Sequence, residues 1–175
     1  MCIRDSRVPR LAVIQAEGAS PFARAARVDF QHFESMQPET VATAIRIGNP
    51  VNYDKAVRAI RFTSGVVTSV TDAEILQAKH DLDRRAIGCE PASAATLAGL
   101  RRLTREHVVR PGESALLIIT GNLLKDPDTT IALATGQTAA LGVAGATSLD
   151  ACANGPRHVP SDPETIAGII EEELR

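Results

Sequence analysis

The sequence is poor in aromatic residues: its 175 residues include four Phe, one Tyr and no Trp. Proteins that bind single-stranded nucleic acid commonly stack the bases on aromatic side chains. The 19 basic residues are balanced by 21 acidic ones, which gives a formal charge of -2 at pH 7. Such a balance provides no general attraction for phosphate backbones or anionic lipids. We therefore expect neither a nucleic acid nor a membrane surface as a partner.

Cysteine is also scarce, since Cys2, Cys89 and Cys152 lie far apart and form no C-x-x-C pair. This pattern excludes a disulfide framework and a zinc ribbon, and it favours reduced thiols in a cytoplasmic protein. The four His residues share no metal-ligand spacing, so no metal site is expected. The sequence has no run of about 18 apolar residues, which a membrane span would need. Residues 1–6 contain no apolar signal-peptide core, and they resemble a cloning or sequence-assembly scar.

Apolar runs and helical patterns alternate along the chain. Buried strands are predicted at residues 11–16, 66–70 and 114–119, and helices at residues 53–61, 71–86, 92–107 and 164–174. This order predicts an α/β fold with a parallel, doubly wound sheet flanked by helices. Ligands bind such sheets outside the carboxyl ends of the strands. We therefore expect a binding site in the loops 17–21 and 120–126.

Several residues carry local signals for helix ends. Thr71 and Glu74 have the spacing of a capping box, and Pro91 suits the first position of a helix. Asn52 and Asp162 are placed to cap the helices that follow them. Two lysines, Lys55 and Lys79, fall within predicted helices, where we expect their ammonium groups to be solvated.

Common catalytic motifs are absent from the sequence. It contains no dinucleotide-binding G-x-G-x-x-G, no P-loop, no G-x-S-x-G nucleophile elbow and no H-E-x-x-H metal motif. Periodicity and spacing alone therefore predict an α/β domain with two loops at strand ends, and they name no reaction.

Five ordered segments carry a more specific signal. They read Q-A-E-G-A-S-P from residue 15, T-A-I-R-I-G-N-P from 43, G-V-V-T-S-V-T-D-A-E-I from 65, C-E-P-A-S-A-A from 89 and T-G-N-L-L-K-D-P from 120. Together they resemble threonine synthase, a pyridoxal-phosphate enzyme of the tryptophan synthase β-like fold. The resemblance implies conversion of O-phospho-L-homoserine and water to L-threonine and phosphate, by an enzyme expected to be a cytoplasmic homodimer. It makes residues 7–128 the C-terminal part of the large cofactor domain. Residues 129–175 match no segment of the family, and we expect them to form a tail with a short helix.

The resemblance also implies three residues that contact the cofactor. Thr120 occupies the position that faces the pyridine nitrogen, Ala44 the position that flanks the ring, and Glu90 a position near the ring at a helix start. A neutral hydroxyl can donate a hydrogen bond to an unprotonated ring nitrogen, whereas a carboxylate would keep that nitrogen protonated. The alternatives are structural: Thr120 would cap the next helix, and Ala44 and Glu90 would serve packing or capping.

Two parts of the family's machinery are missing from the sequence. It contains neither the S-F-K-D motif of the Schiff-base lysine nor the G-N-A-G-N loop that binds the cofactor phosphate. We therefore expect an incomplete fold and a chain that is inactive alone. Leu123 replaces a family glycine, and its side chain would crowd the turn if its φ were positive. Two other functions stay open: a threonine or serine dehydratase of the same cofactor class, and a non-catalytic binding module on the same fold.

Overall fold

The computed structural model describes residues 8–143 and 158–173, so residues 1–6 and their predicted origin lie outside the described part. Strands β1 (Ala12–Ala16) and β2 (Val66–Val70) form a parallel sheet. The helices within the described ranges are α1 Pro21–Ala26, α2 Tyr53–Phe62, α3 Asp72–Asp83, α4 Pro91–Arg105, α5 Pro127–Thr135 and α6 Pro163–Glu173. Short 3-10 turns occupy Glu17–Ala19, Thr43–Ile45, Leu123–Lys125 and Thr138–Leu141. Two of the three predicted strands and all four predicted helices are confirmed, with small shifts at their ends.

Helices cover both faces of the two-stranded sheet. Successive side chains of a strand point to opposite faces, so the side chains of Ile14 and Gln15 in β1 lie on opposite faces of the sheet. Ile14 packs against α4 at Gly99, where an added Cβ would overlap the Ile14 side chain. On the other face, the Ala23 N–H of α1 donates to Gln15 Oε1 at 2.9 Å. The predicted α/β architecture with flanking helices is confirmed.

The main core lies between one face of the sheet and the helix pair α3–α4. It consists largely of small side chains, which let α4 approach the strands closely and pack at high density. Its buried members are Ala16, Ala42, Val70, Ile75, Ala78, Leu82, Cys89, Ala94, Ala95 and Ala98.

Two glycines of the recurring segments are required by close backbone contacts. The Glu39 N–H donates to the Gly18 carbonyl at 2.9 Å, and the Met36 N–H donates to the Gly48 carbonyl at 3.0 Å. A Cβ at Gly18 would overlap the Glu39 carbonyl oxygen, and a Cβ at Gly48 would overlap that of Met36. At both positions the backbone of residues 36–39 comes too close to leave room for a side chain.

The apolar run at residues 114–119 does not form the buried strand that its sequence predicts. It lies outside the sheet, and Leu116 and Ile118 are 91% and 68% exposed. Within the described residues, β1 and β2 pair only with each other, so this run has no strand beside it. The prediction was wrong because an apolar run becomes a buried strand only where a neighbouring strand supplies the backbone hydrogen bonds.

Lys79 is fully buried, although the sequence analysis predicted that its ammonium is solvated. It lies one turn after Ile75 and one turn before Leu82, on the face of α3 that contacts the core. Its Nζ donates to Asp83 Oδ2 and to the Cys89 carbonyl, each at 2.9 Å. The prediction was wrong because helical spacing places Lys79 among the apolar residues, where these two acceptors satisfy it.

The predicted capping box of α3 is confirmed. The Glu74 N–H donates to Thr71 Oγ1 at 3.2 Å, and the Thr71 N–H donates to Glu74 Oε2 at 2.9 Å. Asp162 caps α6 as predicted, because its carboxylate accepts the Thr165 N–H at 2.9 Å. Asn52 precedes α2 but its side chain makes no capping bond, so that prediction was wrong. Its φ of -97° and ψ of 28° differ from the extended backbone that lets a capping side chain reach back.

Helix α5 was missed by the sequence analysis. Asp126 caps it by accepting the Thr129 N–H at 3.2 Å, and Gly136 ends it with a left-handed φ of 72°. Leu123, just before it, lies in a 3-10 turn without a positive φ. The condition for crowding, a positive φ at Leu123, is therefore not met, and its side chain fills the space over Gly88.

Glu74 is expected to make stability depend on pH. Burial opposes its ionisation, but the Thr71 N–H and the guanidinium groups of Arg105 and Arg102 outweigh burial and lower the pKa of Glu74. Glu74→Gln should reduce the free energy of unfolding at pH 7 by about 1–2 kcal/mol, because it removes a charged partner of both arginines.

That loss should shrink in acid. A carboxyl group with a lowered pKa in the folded state stabilises the protein above its unfolded pKa, and this contribution disappears as the pH falls through the folded pKa. Urea unfolding at pH 7 and near pH 3 measures the loss in the free energy of unfolding at each pH. The exposed Glu106→Gln is the matched control and should change little. An equal loss at both pH values would show that the Glu74 charge is not responsible.

Candidate functional site

Residues 120–122 cross the N-terminal end of α4. Cys89 and Asn122 form an antiparallel bridge, and the Glu90 N–H donates to the Gly121 carbonyl at 3.0 Å. Glu90 precedes Pro91, whose ring starts the helix without needing an N–H partner. The crossing therefore places Thr120 beside the first turn of a 15-residue helix.

Ser93 holds this crossing from the helix side. Its Oγ accepts the Thr120 N–H at 3.1 Å and the Gly121 N–H at 3.0 Å, and it lies 3.4 Å from Thr120 Oγ1. Ser93 is only 3% exposed, and its bond with the Gly121 N–H is buried, whereas its contacts with the exposed Thr120 are partly buried. Ser93 was not among the predicted site residues, since a serine among small helical residues gives no signal of such contacts.

Gly121 fits between Thr120 and the helix because it has no side chain. An added Cβ at this position would overlap the carboxylate of Glu90. Glu90 itself is 7% exposed, so its side chain has little room to withdraw. The glycine of the T-G pair thus permits close contact between the crossing segment and the helix start.

The structure brings together two of the three predicted site residues. Thr120 and Glu90 both lie at the start of α4, where Thr120 is an exposed residue. Ala44 is exposed in the turn Thr43–Ile45, which packs against the same helix. Thr120 was predicted to follow a strand, and that prediction was wrong, because residues 114–119 form no strand. Contacts with the start of α4 position Thr120 instead.

Lys79 of α3 stabilises the segment that leads into α4. Its ammonium binds the carbonyl of Cys89, the residue just before Glu90. Burial raises the pKa of the Cys89 thiol, and the nearby Lys79 charge offsets part of this increase. Lys55 and Lys125, the other lysines of the sequence, are exposed.

A family model described as "Pyridoxal-phosphate dependent enzyme" matches residues 3–121. The chain belongs to this family. It is 52% identical over 131 residues to a threonine synthase of Methanosarcina acetivorans, covering 74% of this chain and 32% of the relative. It is also 45% identical over 126 residues to a threonine synthase of Methanocaldococcus jannaschii, covering 71% and 31%. The resemblance to threonine synthase is thereby confirmed, and the chain spans about a third of the length of these curated relatives.

Two solved structures share the fold of this pyridoxal-phosphate-dependent chain. Threonine synthase from Escherichia coli superposes with a TM-score of 0.53 and 16% identity, covering 95% of this chain and 38% of that one. A solved threonine deaminase superposes with a TM-score of 0.50 and 20% identity, covering 65% and 39%. At these identities the likeness shows the pyridoxal-phosphate enzyme fold alone.

The residues at the start of α4 suit one edge of pyridoxal phosphate, the cofactor of the family. The exposed Thr120 hydroxyl has a proton to donate, and an unprotonated pyridine nitrogen accepts one. Gly121 is buried against the Glu90 side chain, which leaves Thr120 as the exposed residue of the pair. In contrast, Lys79 already binds Asp83 and the Cys89 carbonyl, so its amine does not suit attachment of the cofactor.

Within residues 8–143 and 158–173, no group of three or more His, Cys, Asp or Glu side chains has the arrangement of a metal site. No helix in the same ranges combines the length and the apolar character needed to cross a membrane.

Proposed function

We propose that this chain is the C-terminal part of a threonine synthase, which converts O-phospho-L-homoserine and water to L-threonine and phosphate. The observation that carries the proposal is the exposed residue Thr120 at the start of α4, where its N–H and that of Gly121 both donate to Ser93 Oγ. The high identity to threonine synthases over this same region supports the choice of reaction.

In this proposal, the chain's own residues orient one edge of the cofactor. Bound pyridoxal phosphate withdraws electrons from the substrate and so stabilises negative charge on it. Thr120 donates a hydrogen bond to the ring nitrogen, which limits how strongly the ring withdraws electrons. Ala44 flanks the ring, and Glu90 keeps the helix start in place near it.

The remaining parts of the active site come from elsewhere in the enzyme. Neither the cofactor-binding lysine nor the phosphate-binding loop of the family occurs in the sequence. The chain alone is therefore expected to be inactive. A homodimeric assembly and a cytoplasmic location belong to the same proposal.

A hybrid enzyme tests this function. In it, the present chain replaces the matching 131 residues of the Methanosarcina relative. We expect the hybrid to release phosphate from O-phospho-L-homoserine, and Thr120→Val to lower kcat about tenfold through loss of one hydrogen bond of about 1.4 kcal/mol. The matched control is Thr104→Val, an exposed hydroxyl on α4 that bonds only to the Leu100 carbonyl.

Other products would point to the alternative functions. A hybrid that converts threonine to a 2-oxo acid and releases no phosphate from O-phospho-L-homoserine would support a dehydratase. A hybrid that binds pyridoxal phosphate and turns over neither substrate would support a binding module. Either result would contradict the proposed reaction.

A further inference from the structure

The hydrogen bonds of Ser93 determine which way its proton points. A serine hydroxyl has one proton to donate and two lone pairs that accept. The Thr120 N–H and the Gly121 N–H, at 3.1 Å and 3.0 Å, occupy both accepting positions of Ser93 Oγ. Ser93 therefore has only its proton left for any third partner.

That third partner is the hydroxyl of Thr120. The two hydroxyl oxygens lie 3.4 Å apart, and the distance alone allows either one to donate. Because both lone pairs of Ser93 are taken, Ser93 is the donor and Thr120 Oγ1 the acceptor. The Thr120 proton is then not used by Ser93 and is left for another acceptor.

We propose that Ser93 is a positioning residue that makes the Thr120 hydroxyl a hydrogen-bond donor to the cofactor. This inference rests on the proposed function, since it takes the ring nitrogen of pyridoxal phosphate as the acceptor. Thr120 without this partner rotates freely and donates to the ring nitrogen or to water. With Ser93 in place, the donor orientation exists before the cofactor binds.

The burial of Ser93 strengthens this role. At 3% exposure, its Oγ is shielded from water that would compete for the two N–H groups. The backbone of Ser93 is also held, because its N–H bonds to the Glu90 carbonyl at 3.1 Å and its carbonyl accepts the Thr96 hydroxyl at 2.7 Å. The orientation of the Thr120 proton is thus set by a rigid part of α4.

The test uses the hybrid enzyme loaded with pyridoxal phosphate labelled with ¹⁵N in the ring. The ¹⁵N chemical shift reports the hydrogen bond to the ring nitrogen independently of turnover. Thr120→Val should move the resonance away from the value of a protonated ring, and Ser93→Ala should move it part of the way in the same direction. Ser93→Cys keeps a weak donor and should give a smaller change, while Thr104→Val should give none.

The double variant separates positioning from a structural role. If Ser93 acts through Thr120, adding Ser93→Ala to Thr120→Val should not move the resonance further. An additional shift in the double variant would overturn the inference. A shift with Thr120→Val but none with Ser93→Ala would also overturn it, while leaving the proposed function intact. No shift with Thr120→Val would remove Thr120 from the cofactor contact and overturn both.

A second measurement uses the chain as it stands and needs no cofactor. Ser93→Ala should speed amide hydrogen exchange at Thr120 and Gly121 about tenfold, because both N–H groups lose their acceptor. Exchange in Thr104→Val should equal that of the unchanged chain at these two positions. Unchanged exchange in Ser93→Ala would show that Ser93 does not hold the crossing, and would overturn the inference even if the hybrid failed to fold.

Discussion

Replacing Lys79 by alanine is expected to lower the free energy of unfolding by about 3 kcal/mol. The ammonium is fully buried and bonds to Asp83 and to the Cys89 carbonyl. Its removal leaves a partly buried carboxylate without its counter-charge, while Asp83 Oδ1 already has no hydrogen-bond partner among the described residues. Urea unfolding at pH 7 measures the loss.

Further variants separate charge from volume at this position. Lys79→Met keeps most of the side-chain volume and leaves no large cavity. It should therefore lower the free energy of unfolding by less than Lys79→Ala does. Adding Asp83→Leu to Lys79→Met should restore part of the stability, because no unpaired charge remains. Lys55→Ala, at an exposed lysine of α2, is the matched control and should change stability by less than about 0.5 kcal/mol. Equal effects of Lys55→Ala and Lys79→Ala would contradict the role of the buried ammonium.

The chain alone is expected to associate through its exposed apolar segment, residues 114–119. Leu116 and Ile118 are 91% and 68% exposed, and nothing in the described residues covers them. Exposed apolar runs with unpaired backbone groups pair readily with other chains. Light scattering after size exclusion should therefore give a mass above the 18.6 kDa of one chain.

Charge placed in this segment should abolish the association. The double variant Leu116→Glu with Ile118→Glu should run as a monomer, since association would then bury two carboxylates. Val51→Glu is the matched control, because Val51 is 98% exposed but lies outside the segment. A monomeric unchanged chain, or a double variant that still associates, would show that residues 114–119 do not drive the association.

Local signals predicted much of the fold. The strands at β1 and β2 and the starts of α3, α4 and α6 depend on short apolar runs and on capping residues next to them. These features act over a few residues, so the sequence shows them directly. Asn52 is the exception, because whether a residue caps a helix also depends on its backbone angles, which distant packing sets.

Several features that the sequence did not predict depend on distant partners, although the missed helix α5 is bounded by the local residues Asp126 and Gly136. The run 114–119 reads as a strand, but the described residues provide no neighbour for it. The sequence predicts a solvated lysine at position 79, because it does not show that the fold places the Cys89 carbonyl beside the ammonium. The family resemblance predicted Thr120 and Glu90 as site residues. Ser93 could not be predicted, because its role depends on a contact with Thr120, which lies 27 positions away in the sequence.

The turn at Pro111–Gly112 suggests how the molecule can be re-engineered. It is exposed, Gly112 has a φ of 89°, and an added Cβ there would meet no neighbouring atom. The contacts described above for the segment with Thr120 are made by Cys89, Glu90 and Ser93, which precede this turn in the chain. New chain ends or an inserted reporter domain at Gly112 would therefore leave the threonine anchored, because its position is set by the helix it touches and not by the loop that leads to it.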